Sequence, residues 1–121
     1  QNLNSAKIKR EPFDQTAEFA VTAENQNIAM LIMVYLEKII KYHCKEFSEQ
    51  KTKLKLDLSS KFLPAFNFSS VYFSKDSVNF QYAILWQCTF TSATLEEINF
   101  SHADLTYSKF FKTSKKIFKK T

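Results

Sequence analysis

A period of five residues organises the stretch 78–111. Leucine or phenylalanine occupies every fifth position, and a small or β-branched residue stands two positions before each of them. Because helices repeat every 3.6 residues and strands every 2, this period predicts a backbone that turns a corner every five residues. The predicted core residues at the repeat centres are Phe80, Leu85, Phe90, Leu95, Phe100, Leu105 and Phe110.

A weaker run of the same period precedes this stretch. Leu58, Leu63, Phe68 and Phe73 are five apart, although Lys61 stands where an apolar residue is expected. The spacing from Phe73 to Phe80 is seven, so residues 74–77 contain a two-residue insertion, which predicts a bulged corner.

The sequence contains no glycine. Turns with positive φ usually use glycine, so its absence indicates one repeated corner type that accepts other residues. It also excludes the glycine-rich phosphate loops and the dinucleotide-binding fingerprint.

The net charge of +5 is concentrated at the C-terminus. Residues 56–111 hold three lysines against five acids and are therefore slightly acidic. The basic tail is a candidate for binding anionic membrane or nucleic acid, with a solvated end as the alternative. Its lysines are Lys112, Lys115, Lys116, Lys119 and Lys120.

Candidate catalytic residues are few. Cys44 and Cys88 form no CxxC or metal spacing, and free thiols are typical of a reducing compartment such as the cytoplasm. His43 and Cys44 are neighbours, which point about 100° apart on a helix. We therefore expect no enzyme, no cofactor and no metal site.

Composition divides the chain into five parts. Residues 1–13 form a basic arm, 14–50 a helical segment that the polar run 24–27 interrupts, 51–55 a connector, 56–111 the repeats and 112–121 the tail. Residues 28–47 are apolar along one whole helical face. This helix is expected to cap the repeats, or to form a homodimer or partner surface.

The repeats resemble the pentapeptide-repeat family, whose consensus is a small residue, Asn or Asp, Leu or Phe, Ser or Thr, and a variable residue. Such a resemblance implies a mainly β fold, a short right-handed quadrilateral β-solenoid (β-helix) behind an N-terminal helical segment. Four pentapeptides then make one coil, and residues 20 apart stack. The closest matches are Cys88-Thr89-Phe90-Thr91, Ile98-Asn99-Phe100-Ser101 and Ala103-Asp104-Leu105-Thr106.

Some outward positions carry apolar residues where that family prefers polar ones. Tyr82, Ile84 and Trp86 are expected on one wall, and Tyr107 and Phe111 are similarly misplaced. Exposed aromatic clusters are typical of binding surfaces. We predict that these residues bind a partner, unless the chain's own helix covers them.

These observations predict a non-enzymatic protein–protein interaction or scaffold module. The resemblance extends to bacterial proteins, including secreted effectors, and to proteins that bind DNA gyrase as acidic DNA mimics. The repeat region is too weakly acidic to imitate a phosphate backbone. A peripheral membrane or nucleic-acid adaptor acting through the tail is the remaining alternative.

Overall fold

The computed structural model describes residues 23–116. A helix, α1 (Ala23–Ser48), precedes five short strands: β1 (Leu56–Asp57), β2 (Tyr72–Phe73), β3 (Val78–Asn79), β4 (Thr94–Glu96) and β5 (Ser114–Lys116). A boundary between two units of the chain falls after Ile32, and residues 33–48 belong with the repeats to the second unit, Met33–Thr121.

Helix α1 runs without a break through the polar residues 24–27. The expected interruption there is wrong, because four exposed polar residues without Gly or Pro do not stop a helix. The helix ends in a Schellman motif: Lys51 N–H donates to Glu46 O and Gln50 N–H to Phe47 O. Gln50, at φ 62°, takes the left-handed position usually given to glycine. The N-terminal part of the predicted segment 14–50 lies outside the described residues.

All strand pairing in the described repeats is parallel and links successive turns of the chain. The offset is 22 residues where the insertion intervenes, as for Leu56 with Val78, and 20 residues afterwards, as for Asn79 with Asn99. The repeats therefore stack as three rungs of four walls. Wall 1 contains 56–58, 78–80 and 98–100; wall 2 contains 61–63, 83–85 and 103–105; wall 3 contains 66–68, 88–90 and 108–110; wall 4 contains 71–73, 93–95 and 113–115.

Each corner contains one residue with φ between 52° and 69°. It normally follows the repeat centre by two positions, and Asp76 takes this role in the bulged corner, as the seven-residue spacing predicts. These corners tolerate ordinary side chains in a conformation that disfavours them. The corner residues are Ser60, Ala65, Ser70, Asp76, Tyr82, Gln87, Ser92, Glu97, His102, Tyr107 and Lys112.

Asn and Asp side chains brace these corners. The side-chain oxygen of Asn79 accepts from Gln81 N–H at 2.9 Å, and that of Asn99 accepts from Ser101 N–H at 2.8 Å. Each is an Asx turn, in which the side chain replaces a backbone acceptor. The predicted turn-bracing role of Asn79, Asn99 and Asp104 is confirmed.

The core consists of the inward centres and the small slots beside them. Phe80 stacks on Phe100 with centroids 5.2 Å apart, and Phe90 on Phe110 at 4.9 Å, so the predicted phenylalanine ladders are confirmed. Cys88 is fully buried in its inward slot. The centres of the second rung are buried, and Phe100, Leu105 and Phe110 of the third are partly buried.

Residues 33–48 of α1 pack on the first rung. Ile40 and Cys44 are buried in the same cluster as the repeat centres. Glu37 Oε2 accepts from Asn67 N–H at 2.7 Å, and His43 Nε2 lies 2.9 Å from Ser77 O. In later rungs the corresponding amide donates to the rung before, as Thr89 N–H does to Phe66 O. Glu37 therefore provides an acceptor where the first rung has no predecessor.

Candidate functional site

Wall 2 carries an exposed apolar column. Phe62 pairs with Ile84, and Ile84 with Asp104, so the three residues lie above one another on the outer surface. Phe62 is 56% exposed and Trp86 is 43% exposed. Their rings meet edge to face with centroids 5.3 Å apart. We call Phe62, Tyr82, Ile84 and Trp86 the wall 2 patch.

Trp86 is held in place by hydrogen bonding as well as by packing. Its Nε1–H donates to Asp104 Oδ2 at 2.7 Å. The other carboxylate oxygen accepts from the backbone N–H and the hydroxyl of Thr106. Hydrogen bonds from Thr106 and from Trp86 lower the pKa of Asp104, so the carboxylate is charged at neutral pH. The indole is therefore fixed in orientation while one face stays accessible.

Tyr82 lies at the corner that begins wall 2. Its ring stacks on the His102 imidazole of the next rung at 4.7 Å and 11°. This contact extends the patch with a flat, amphipathic pair. His102 thus contacts Tyr82, whereas Asp104 hydrogen-bonds to Trp86 and Thr106, so the two do not form a proton-transfer pair with a nucleophile.

The other two predicted partner residues lie apart from this group. Tyr107 is at the far corner of wall 2 on the third rung and is 80% exposed. Phe111 follows the centre of wall 3, where Lys112 Nζ lies 5.3 Å from its ring centroid. The structure therefore places Tyr82, Ile84 and Trp86 along one wall, Tyr107 at its edge, and Phe111 beyond the next wall.

The described part of the second unit leaves the wall 2 patch uncovered. Residues 33–48 of α1 contact the first rung through Glu37, Ile40, His43 and Cys44, as described above. Trp86, Phe62 and Tyr82 keep large exposed fractions.

The two thiols are unsuited to nucleophilic chemistry. Burial raises the pKa of Cys44 to about 12 and that of Cys88 to about 11. Cys88 Sγ lies 3.0 Å from Leu63 O, a contact inside the core. Both cysteines are free and behave as small core side chains.

Two searches of residues 23–116 returned nothing. No three His, Cys, Asp or Glu side chains come together there in a way that would hold a metal ion. In the same range, α1 does not have the length and apolar character needed to cross a bilayer.

Comparison with known families identifies the repeats. A family model described as pentapeptide repeats matches residues 76–110 in eight copies. Residues 76–110 belong to the pentapeptide-repeat family. Neither the curated proteins nor the solved structures gave a match. The predicted family is confirmed, and its members are generally structural or interaction modules without catalytic activity.

Pairing in the pentapeptide-repeat stack continues past residue 111, where the predicted repeat region ends. β5 pairs with β4 through Ser114 with Thr94 and Lys115 with Leu95. Backbone pairing needs no apolar centre, and so Lys115 occupies a centre position that the sequence pattern does not show. Of the predicted basic tail, Lys112 and Lys115 are exposed. Lys116 lies in β5, and Lys119 and Lys120 lie outside the described residues.

Sequence reasoning missed Phe62 as part of the surface. It precedes Leu63 in the irregular first rung, next to Lys61, where the repeat pattern is weakest. Its signal is its position, which matches that of Ile84 once the two-residue insertion is counted.

Proposed function

We propose that this chain is a non-enzymatic protein–protein interaction module in which the wall 2 patch binds a protein partner. The observation that carries the proposal is Trp86, whose indole is hydrogen-bonded to Asp104 and packed on Phe62 while it stays 43% exposed. Tryptophan and tyrosine are the residues most often found at the energetic centre of interfaces.

Preorganisation supports the same proposal. An exposed side chain normally loses about 0.5–1.5 kcal/mol of rotamer entropy when a partner immobilises it. Trp86 has already lost much of that freedom, because its ring is fixed at both the edge and the Nε1–H. A partner would therefore gain apolar contact with little further ordering. Asp104 and His102 give the patch a polar border, as in most interfaces.

The repeats themselves support a scaffold role. We assign them the right-handed quadrilateral β-solenoid that pentapeptide repeats imply, with α1 as its N-terminal cap. Stacked rungs keep wall residues at fixed spacings, so a surface built on them needs no ligand to organise it. An effector role is a finer proposal, which requires that the partner come from a host cell.

Site-specific photo-crosslinking tests the proposal. A photoreactive residue replaces Ile84 on wall 2, and the matched control replaces Thr94, which holds the equivalent repeat position on wall 4. We expect one dominant protein adduct from position 84 that is absent from position 94. The adduct should disappear in the Trp86→Ala variant, and the purified partner should bind the wild-type chain directly.

Equal adducts from positions 84 and 94, or adducts insensitive to Trp86→Ala, would refute the proposal. The membrane or nucleic-acid alternative is tested in parallel. Deleting residues 112–121 would remove β5, so we replace Lys112, Lys119 and Lys120 by glutamine instead. Salt-sensitive binding to anionic liposomes or DNA that these changes abolish would support the adaptor role.

A further inference from the structure

Helix α1 has apolar side chains on two opposite faces. One face lies on the first rung through Ile40 and Cys44, both buried. On the other face, Tyr35, Ile39 and Tyr42 are 58%, 58% and 65% exposed. A helix that only capped the rungs would need the first face alone, so the second face requires another explanation.

The exposed face has the spacing of a coiled-coil seam. Tyr35, Ile39 and Tyr42 are separated by four and three residues, and the same alternation reaches back in the sequence to Ile32 and Ile28. These two residues are also exposed. Alternating spacings of four and three keep side chains in line along a partner helix. We call the five residues the helix seam.

We propose that a second copy of this chain docks on the helix seam, with the two α1 helices packed against each other. Each seam side chain leaves roughly 100 Å² exposed, so pairing buries about 1,000 Å² in total, the lower bound for a specific interface. A two-fold dimer uses the same surface on both subunits, so one apolar seam is sufficient.

Charged neighbours favour a helix over a membrane as the occupant. Glu46 takes the next seam position after Tyr42, and Lys38 and Lys45 flank the seam on one side. An acidic residue in line with the apolar face is unfavourable at an anionic bilayer. At the end of a helix pair, its carboxylate reaches solvent at the rim.

Analytical ultracentrifugation of the full chain over a concentration series tests the proposal. We expect a reversible wild-type dimer. The double variant Ile39→Glu and Tyr42→Glu should raise the dimer Kd by about 100-fold or more, since it places like charges across the seam. Both residues are exposed, so circular dichroism should show an unchanged fold. The control variant Ser92→Glu adds an acid on a repeat corner and should dimerise as wild type does.

Two further outcomes would overturn the proposal. A wild-type chain that stays monomeric at the highest concentration would show that no second copy uses the seam. A dimer that survives Ile39→Glu and Tyr42→Glu would show that another surface holds it. Retention of a monomeric wild-type chain on phosphatidylserine vesicles, lost in the double variant, would assign the seam to a lipid surface instead.

This inference is independent of the proposed function. Trp86→Ala should leave the dimer intact, and the seam variant should keep the position 84 crosslink. Failure of either experiment therefore identifies which surface was assigned wrongly.

Discussion

Glycine introduced at the repeat corners should stabilise this protein, which is unusual for glycine substitutions. Gln87 and Ser92 are exposed corner residues with φ of 58° and 61°. A residue with a Cβ loses roughly 1–2 kcal/mol in this left-handed conformation. Glycine avoids that strain but gives up about 0.5–1 kcal/mol through the greater freedom of the unfolded chain. We therefore expect a net gain of about 0.5–1 kcal/mol per corner.

The double variant Gln87→Gly and Ser92→Gly tests this expectation. The two corners lie at opposite ends of wall 3, so their effects should add to about 1–2 kcal/mol. For a domain of this size, each kcal/mol raises Tm by roughly 4–8 °C. Urea denaturation and thermal melting followed by circular dichroism would measure both quantities.

The matched control is Thr94→Gly. Thr94 lies in β4, outside the set of positive-φ residues, and pairs with strands on both sides. Glycine there removes a β-branched side chain and adds backbone freedom, so stability should fall by about 1 kcal/mol. If the corner variant loses as much stability as the control, the corners are not left-handed and the reasoning is refuted.

Three further predictions concern single side chains. Phe90→Ala should reduce the unfolding free energy by about 3–5 kcal/mol, since the ring is fully buried between two others of its ladder. A loss below about 1 kcal/mol in urea denaturation would contradict this. Cys44 and Cys88, with pKa values raised by burial to about 12 and 11, should resist Ellman's reagent at pH 8 until the chain is denatured. Fast native reaction would show that they are accessible. The lowered pKa of Asp104 means that its contribution to stability is complete above 3.8 and is lost as pH falls through the folded value. Trp86 emission should therefore shift below pH 3.8 in the wild type and remain unchanged in Asp104→Asn; identical titrations would contradict the hydrogen bond.

The regular repeats could be predicted from the sequence almost completely. Each repeat centre from Phe80 onwards recurs after 20 residues, and the structure stacks Phe80 on Phe100 as that period requires. The two-residue insertion also follows from spacing alone, because one extra step in the period must change the pairing offset. Local chemistry explains this success, since every corner repeats the same turn.

The contacts of the cap could not be predicted in this way. Glu37 accepts from Asn67 across 30 residues and His43 contacts Ser77 across 34, and neither separation is a multiple of the repeat. Such contacts depend on how a helix lies on an irregular first rung. The same irregularity concealed Phe62, whose exposure depends on the rung and not on its neighbours in sequence.

The bond between Trp86 and Asp104 lies between these extremes. The two residues are 18 apart, and the 20-residue period places Asp104 directly above Ile84, two positions from Trp86. The period therefore brings them near each other. It does not specify that the indole turns toward the carboxylate, because that choice depends on packing against Phe62.

Quenching of Trp86 fluorescence tests the central claim most directly, because this residue is the chain's single tryptophan. Acrylamide quenching is measured on the free chain and on its complex with the protein captured by the position 84 crosslinker. We predict efficient quenching of the free chain and strong protection in the complex. Equal quenching in both states would show that the partner does not cover Trp86, and would contradict the assignment of wall 2 as the binding surface.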